Sequence, residues 1–177
     1  MSEFYVPAAN LIRIKQLKRG MLGRVDLQKT VYLSKQLGIY LPFEFRWDKL
    51  GPYSFELAHF VNQLIARNAF LIERGKYIIN PTDPLVNRSA SLTTINNVME
   101  QKLAKLFASI RKTVHRNGFH IPTFMECLGS IHFIKTSLEN YNKETVLHTL
   151  ELLKPKRTHE FSLMKEEAWN LLGQNDL

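Results

Sequence analysis

The sequence predicts a mainly helical α+β fold, and three observations support this prediction. The chain has 177 residues, of which 45% are apolar and 23% charged, so it can bury a core along its whole length. Apolar residues recur at intervals of three and four over most of the chain, which is typical of helices packed on one side. Two short stretches, 43–48 and 70–79, have strand-like patterns instead, which predicts a small antiparallel sheet.

The first two elements are predicted to be helices. Residues 6–18 place apolar side chains among lysines and arginines, and Gly20 follows as a stop. A second helix is expected from Val25 to Gly38. Asp26 is its predicted cap, because an aspartate near a helix start can accept a hydrogen bond from a free backbone N–H.

A strand, a turn and a third helix are predicted next. Aromatic and charged residues alternate over 43–48, which indicates a half-buried strand. Gly51 and Pro52 follow that strand and predict a rigid turn. Ser54 can cap a third helix, and the apolar spacing predicts that this helix extends to about residue 68.

A β-hairpin is predicted over 70–79, where two β-prone runs flank Arg74-Gly75-Lys76. The order helix, helix, strand, helix, hairpin is that of a winged helix, with the hairpin as the wing. The strand at 43–48 is expected to pair as a third member of the sheet. We therefore predict a winged helix-turn-helix unit over residues 1–83.

Residues 88–173 are predicted to form a C-terminal helical bundle that packs on the first unit or mediates dimerisation. An apolar stripe over 92–116 predicts the longest helix. Further helices are expected after Pro122, over 145–153 and over 162–172. The long stripe can be covered by the later helices or by a second copy of the chain, and a homodimer is expected.

The charge and cysteine content predict a basic cytoplasmic protein. The net charge of +8 suggests an anionic partner, and nucleic acid is the commonest one. The single cysteine cannot form an internal disulfide, which suits a reducing cytoplasm. No stretch approaches the roughly 18 apolar residues of a membrane span, so no membrane association is expected.

Enzyme chemistry is not expected. The six histidines show no His-x-x-x-His spacing, so no metal site is predicted. Ser130 lacks the second glycine of a nucleophile elbow and falls in a predicted helix. No glycine-rich loop follows a strand, as a phosphate-bearing cofactor would require. We predict no catalytic residues and no cofactor.

The predicted function is DNA binding by a winged-helix regulator of transcription. His59, Gln63 and Arg67 share one face of the third helix, and Gln and Arg side chains can read base edges in the major groove. Arg74 and Lys76 lie at the hairpin tip, where each can neutralise a phosphate. The alternative is a solvated helix face and a charged tip that only keeps the hairpin soluble.

A second hypothesis is a protein-binding antitoxin or adaptor module that does not bind DNA. Its candidate contact residues are Trp47 and Tyr53, because aromatic side chains dominate the energetics of protein interfaces. Burial of both rings would make them core residues, whereas exposure of both would favour an interface.

Two segments together resemble a known prokaryotic group. Residues 27–33, LQKTVYL, and 47–54, WDKLGPYS, are similar to winged-helix proteins of the YwgA type and to the Panacea (SocA-like) antitoxin domain. The similarity extends over residues 24–66. It implies a small cytoplasmic protein of a regulatory or toxin–antitoxin setting, with a surface for a protein partner such as a toxin and with no enzyme chemistry.

Overall fold

The structure is a computed structural model that describes residues 2–20 and 23–177. It is mainly helical, with two small antiparallel sheets of two strands each. No helix in these two ranges is both long and apolar enough to cross a membrane. The elements in chain order are α1 (Ser2–Lys18), α2 (Gly23–Gln36), β1 (Arg46–Asp48), β2 (Gly51–Tyr53), α3 (Phe55–Ala66), β3 (Phe70–Glu73), β4 (Lys76–Ile79), α4 (Pro84–Leu92), α5 (Asn97–Asn117), α6 (Ile121–Ser137), α7 (Lys143–Leu153), a 3-10 turn (Pro155–Arg157), α8 (Thr158–Ser162) and α9 (Lys165–Gln174).

Helix α6 lies at the centre of the core. It packs against α2 and β2 and also against α7 and α9. Every residue from Phe124 to His132 is buried, so α6 is covered on all sides over more than two turns. Gly129 allows α2 to approach closely, because a Cβ atom at this position would lie 3.1 Å from Cδ of Lys29.

The predicted long helix over 92–116 is confirmed for most of its length as α5, but α5 begins only at Asn97, after a break that separates it from α4. The cause is Asn10, a fully buried residue of α1. Its side-chain oxygen accepts hydrogen bonds from the Thr93 hydroxyl at 2.8 Å and from the Thr94 backbone N–H at 3.0 Å. These bonds hold the break in place, and Asn96 then caps α5.

The apolar stripe of α5 is buried within the chain, where α5 packs against α1 and α9. Its buried members are Leu103, Leu106, Phe107, Ile110 and Val114. The stripe is therefore not free to pair with a second copy of the chain. The homodimer stays a prediction, and it would need another surface.

The predicted hairpin over 70–79 is confirmed. β3 and β4 pair in antiparallel register, with Glu73 opposite Lys76, so that Arg74 and Gly75 form a two-residue turn. Both turn residues have positive φ angles, 49° for Arg74 and 74° for Gly75. A type I′ turn requires positive φ at both positions, and it matches the twist of the strands.

The prediction for 43–48 is wrong in extent and in pairing. Only the last part of this segment is a strand, β1, and it pairs with β2 in a sheet separate from β3–β4. Gly51, with a φ angle of 81°, lets the chain fold back, and Pro52 is tolerated because both strands of this sheet are edges. The predicted third strand of the wing sheet is thus a hairpin of its own, which lies between α2 and α3.

Two details of the helices also differ from prediction. Asp26 lies inside the first turn of α2 and not before it, and its buried carboxylate pairs with the ammonium group of Lys18. The helix expected over 162–172 is present as α9, but it begins at Lys165, after a separate short helix, α8. The turn between them brings Phe161 and Met164 into the core.

Candidate nucleic-acid interface

Helix α3 begins as predicted, with Ser54 as its cap. The Ser54 backbone is extended, and its hydroxyl oxygen accepts a hydrogen bond from the Leu57 N–H at 3.1 Å. Leu57, Val61 and Leu64 face the core and are buried. The opposite side of α3 is therefore directed away from the core.

The start of α3 is held by Gln28 of α2. The Gln28 amide nitrogen donates to the Ser54 carbonyl at 2.9 Å, and the Ser54 N–H donates to the Gln28 side-chain oxygen at 2.9 Å. Both residues are buried, so each bond satisfies a polar group that has lost contact with water. The two bonds fix the point at which α3 leaves the β1–β2 hairpin.

Lys29, the next residue of α2, is fully buried against β2. Its ammonium group donates a hydrogen bond to the Pro52 carbonyl at 2.6 Å. Burial lowers the pKa of Lys29 to about 7, and the charge of the nearby Lys154 contributes in the same direction. The lysine anchors the β1–β2 hairpin to α2 through a backbone oxygen.

A buried ion pair holds the other side of this hairpin. The Lys154 ammonium group bonds Oε1 of Glu126 at 3.0 Å and also donates to the Lys49 carbonyl. Its nitrogen lies 5.3 Å from the centre of the Trp47 ring, within range of a cation–π interaction. The C-terminal half of the chain thus helps to position the hairpin that precedes α3.

Gly51 is in direct contact with α6. A Cβ atom at Gly51 would lie 2.2 Å from Oγ of Ser130, far inside van der Waals contact. Together with its positive φ angle, this proximity explains why a glycine occupies the position.

The sequence did not reveal that Gln28, Lys29 and Lys154 are buried, because side chains of these types are usually exposed. The hydrogen bonds of Gln28 and Lys29 join the segments 27–33 and 47–54.

Of the predicted DNA-reading residues, His59 and Gln63 lie on the outward side of α3, whereas Arg67 follows its last residue and contacts α1. His59 and Arg67 are exposed and Gln63 is half-buried. Nε2 of Gln63 and Nε2 of His59 are 3.0 Å apart, so these two side chains are hydrogen-bonded. Arg67 lies at the C-terminal end of α3, where its guanidinium carbon is 4.3 Å from the centre of the Phe4 ring.

The predicted phosphate-binding residues, Arg74 and Lys76, are both exposed at the hairpin turn. Neither forms an ion pair with a carboxylate in the described part of the chain. Arg74 has left-handed backbone geometry, which costs an L-residue with a side chain roughly 1–2 kcal/mol. The turn lies beside the start of α2, since a Cβ atom at Gly23 would be 3.7 Å from the Gly75 carbonyl oxygen.

The two aromatic residues predicted for a protein interface are both half-buried. The Trp47 ring packs on Phe133 of α6, with 5.9 Å between ring centres. The Tyr53 ring meets Phe55 edge to face at 5.0 Å, and Phe55 itself is 74% exposed. Trp47 is therefore directed inward, whereas Tyr53 belongs to an exposed aromatic pair that the sequence did not single out.

Comparisons of the chain with protein-family models, with curated proteins and with solved structures found no match. Within residues 2–20 and 23–177, no group of three or more His, Cys, Asp or Glu side chains is arranged to hold a metal ion.

Proposed function

We propose that the protein is a regulator that binds DNA through α3 and the β3–β4 hairpin. The main supporting observation is that the polar outward side of α3 is uncovered and is followed directly by a hairpin with two exposed cations. The net charge of +8 favours approach to a polyanion.

The proposed roles follow from side-chain chemistry. His59, Gln63 and Arg67 would contact base edges in the major groove, because Gln pairs with adenine and Arg with guanine. Arg74 and Lys76 would contact phosphates, which gives affinity without sequence preference. The unfavourable backbone geometry of Arg74 supports a role for its side chain at this turn.

We further propose that residues 1–83 are a winged-helix variant related to the YwgA-type and Panacea group. In this variant the β1–β2 hairpin takes the place of the strand that would join the wing sheet. The hydrogen bonds from Gln28 to Ser54 and from Lys29 to Pro52 support the proposal, because they give the two shared segments one common structural role.

Fluorescence anisotropy with a labelled DNA duplex at several salt concentrations tests the proposed function. We expect Lys76→Ala to reduce the slope of log affinity against log salt concentration by about 0.9, the value for one lost phosphate contact. Lys112→Ala removes the same charge from an exposed position of α5 and should leave the slope unchanged. The proposal fails if the parent does not bind at low salt or if Lys76→Ala has the parent slope.

A second candidate function, a protein-binding module, is favoured by one observation. Leu50, Tyr53 and Phe55 form an apolar surface at the hairpin and the start of α3, with Leu50 37% and Phe55 74% exposed. We expect a stoichiometric partner to co-purify with the parent from its native host and to be lost with Phe55→Ser. Ile72→Ser, which changes an exposed apolar residue of β3, should retain it. Equal recovery with both variants would contradict this candidate.

A further inference from the structure

A cleft of about 590 Å³ lies between the N-terminal part of α1, the end of α3 and α4. Its walls are mostly apolar, and their apolar members include Tyr5 and Val6 of α1 and Leu85 and Leu92 of α4. A volume of this size is within the range of about 300–1,000 Å³ that is common for small-molecule sites. The cleft is thus large enough for a ligand with an apolar body.

Two cations line the same cleft, Arg67 and Arg88. Neither arginine has an ion-pair partner among the described residues. The guanidinium group of Arg67 stacks on Phe4, which leaves its N–H donors available at the edge of the plane.

The cleft also contains one carboxylate, Asp83, which must be weighed against the two arginines. Asp83 caps α4, and its Oδ1 accepts hydrogen bonds from the backbone N–H groups of Leu85 at 2.8 Å and Val86 at 3.4 Å. Its charge therefore stabilises the positive end of the α4 dipole. The two arginines and this one carboxylate leave the cleft with a net positive charge.

We propose that this cleft binds a small organic carboxylate with an apolar body, such as a medium-chain fatty acid. The apolar walls would cover the hydrocarbon part, and the carboxylate would pair with Arg67 and Arg88. Guanidinium groups suit this role because they bind carboxylates with two parallel hydrogen bonds.

Ligand binding would also affect the proposed DNA contact of Arg67. A guanidinium group that is paired with the ligand carboxylate is less available to a base edge, so the ligand would lower DNA affinity. This consequence rests on the proposed DNA-binding function, whereas ligand binding itself does not.

Isothermal titration calorimetry of the full chain with decanoate, without DNA, tests the site. We expect saturable one-to-one binding of decanoate, at least tenfold weaker binding of decanol and of decylammonium, and no binding of acetate. Arg88→Ala should weaken decanoate binding at least tenfold. Arg24→Ala, which removes an exposed arginine that does not line the cleft, should not change it.

The outcomes separate the two proposals. Absence of saturable decanoate binding, equal binding of decanol or decylammonium, or an unchanged affinity in Arg88→Ala would each overturn the ligand site. Because Arg88 is exposed, Arg88→Ala should melt at the same temperature as the parent. An unchanged melting temperature would show that a loss of decanoate binding does not come from a loss of fold. DNA anisotropy with and without decanoate then tests the coupling through Arg67, and its failure would leave the ligand site intact.

Discussion

Gln28 on α2 and Ser54 at the start of α3 bind each other through two buried hydrogen bonds of 2.9 Å, although they are 26 residues apart in sequence. In a helix-turn-helix unit, a turn of about three or four residues sets the angle between two helices. Here a whole hairpin joins α2 to α3, so this pair of hydrogen bonds takes over part of that role.

We expect Gln28→Ala to lower the free energy of unfolding by about 1–3 kcal/mol, because it leaves the buried Ser54 N–H without a partner. The Ser54 carbonyl keeps its hydrogen bond from the Ala58 N–H, at 3.2 Å. Urea unfolding followed by circular dichroism measures the change. Gln36→Ala, at an exposed position of the same helix, should stay within about 0.5 kcal/mol of the parent. Equal effects of the two substitutions would show that the Gln28 side chain does not hold α3.

Gly51→Ala should destabilise the protein more than Gly38→Ala does. Both glycines have positive φ angles, 81° and 90°, so each substitution carries a backbone cost of roughly 1–2 kcal/mol. A Cβ atom at Gly38 meets nothing within 4 Å, whereas at Gly51 it collides with Ser130. The collision should add about 1–3 kcal/mol, measured by urea unfolding. Equal costs would mean that Gly51 does not pack tightly on α6.

The positions of most helices could be predicted because apolar spacing and capping residues are local signals. The break between α4 and α5 could not be, since the bonds that fix it come from Asn10, more than 80 residues earlier in the chain. The pairing of β1 with β2 was missed because Pro52 argues against a strand unless the sheet has only edges.

The exposed part of the candidate interface was easier to predict than its support. Polar residues at helical spacing and charges beside a glycine identified the outward side of α3 and the hairpin turn. The buried lysines could not be found in this way. Lys29 and Lys154 bond the backbone carbonyls of Pro52 and Lys49, and a backbone acceptor has no distinguishing residue type.

Arg74→Asn should stabilise the protein while it weakens DNA binding. Asn tolerates left-handed backbone geometry better than Arg, so the free energy of unfolding should rise by about 0.5–1 kcal/mol. The loss of one phosphate contact should appear in DNA anisotropy as lower affinity at low salt. Lys76→Gln, outside the turn, should weaken DNA binding without the gain in stability. Arg74 would be only a turn residue if DNA affinity did not change.

Because Lys29 is buried, we expect the free energy of unfolding to rise with pH above about pH 7. The pKa of Lys29 is about 7 in the folded chain and near 10.5 when unfolded, so between these pH values the unfolded state holds more protons. Stability should therefore increase from pH 7 towards 10.5, by up to roughly 5 kcal/mol from this group. The increase should be smaller in Lys29→Met, measured by urea unfolding across this range. Lys112→Met, at an exposed site, should show the same increase as the parent. If the Lys29 ammonium group of the parent were hydrated, Lys29→Met would also show the same increase.

Because His132 is buried, we expect the free energy of unfolding to decrease in acid. It is buried with its Nδ1 2.8 Å from the Tyr32 hydroxyl oxygen, and burial lowers the pKa of His132 to about 4. Because the unfolded state takes up its proton near pH 6.5, stability should fall as pH decreases from 6.5 to 4, by roughly 3 kcal/mol from this group.

Thermal melts of His132→Gln should show a shallower acid limb, since glutamine does not titrate and keeps a polar group near Tyr32. His148→Asn, at an exposed position, should keep the acid limb of the parent. Identical limbs for the parent and His132→Gln would mean that another group causes the acid transition.

The position of α6 beneath both α2 and β2 has a consequence for genetics. Substitutions in its buried middle, at Gly129 or Ser130, would displace Lys29 or Gly51 and so tilt α3 from a distance. A screen for loss of regulation would then recover alleles in the second half of the gene, even though no residue there touches DNA in the proposed complex.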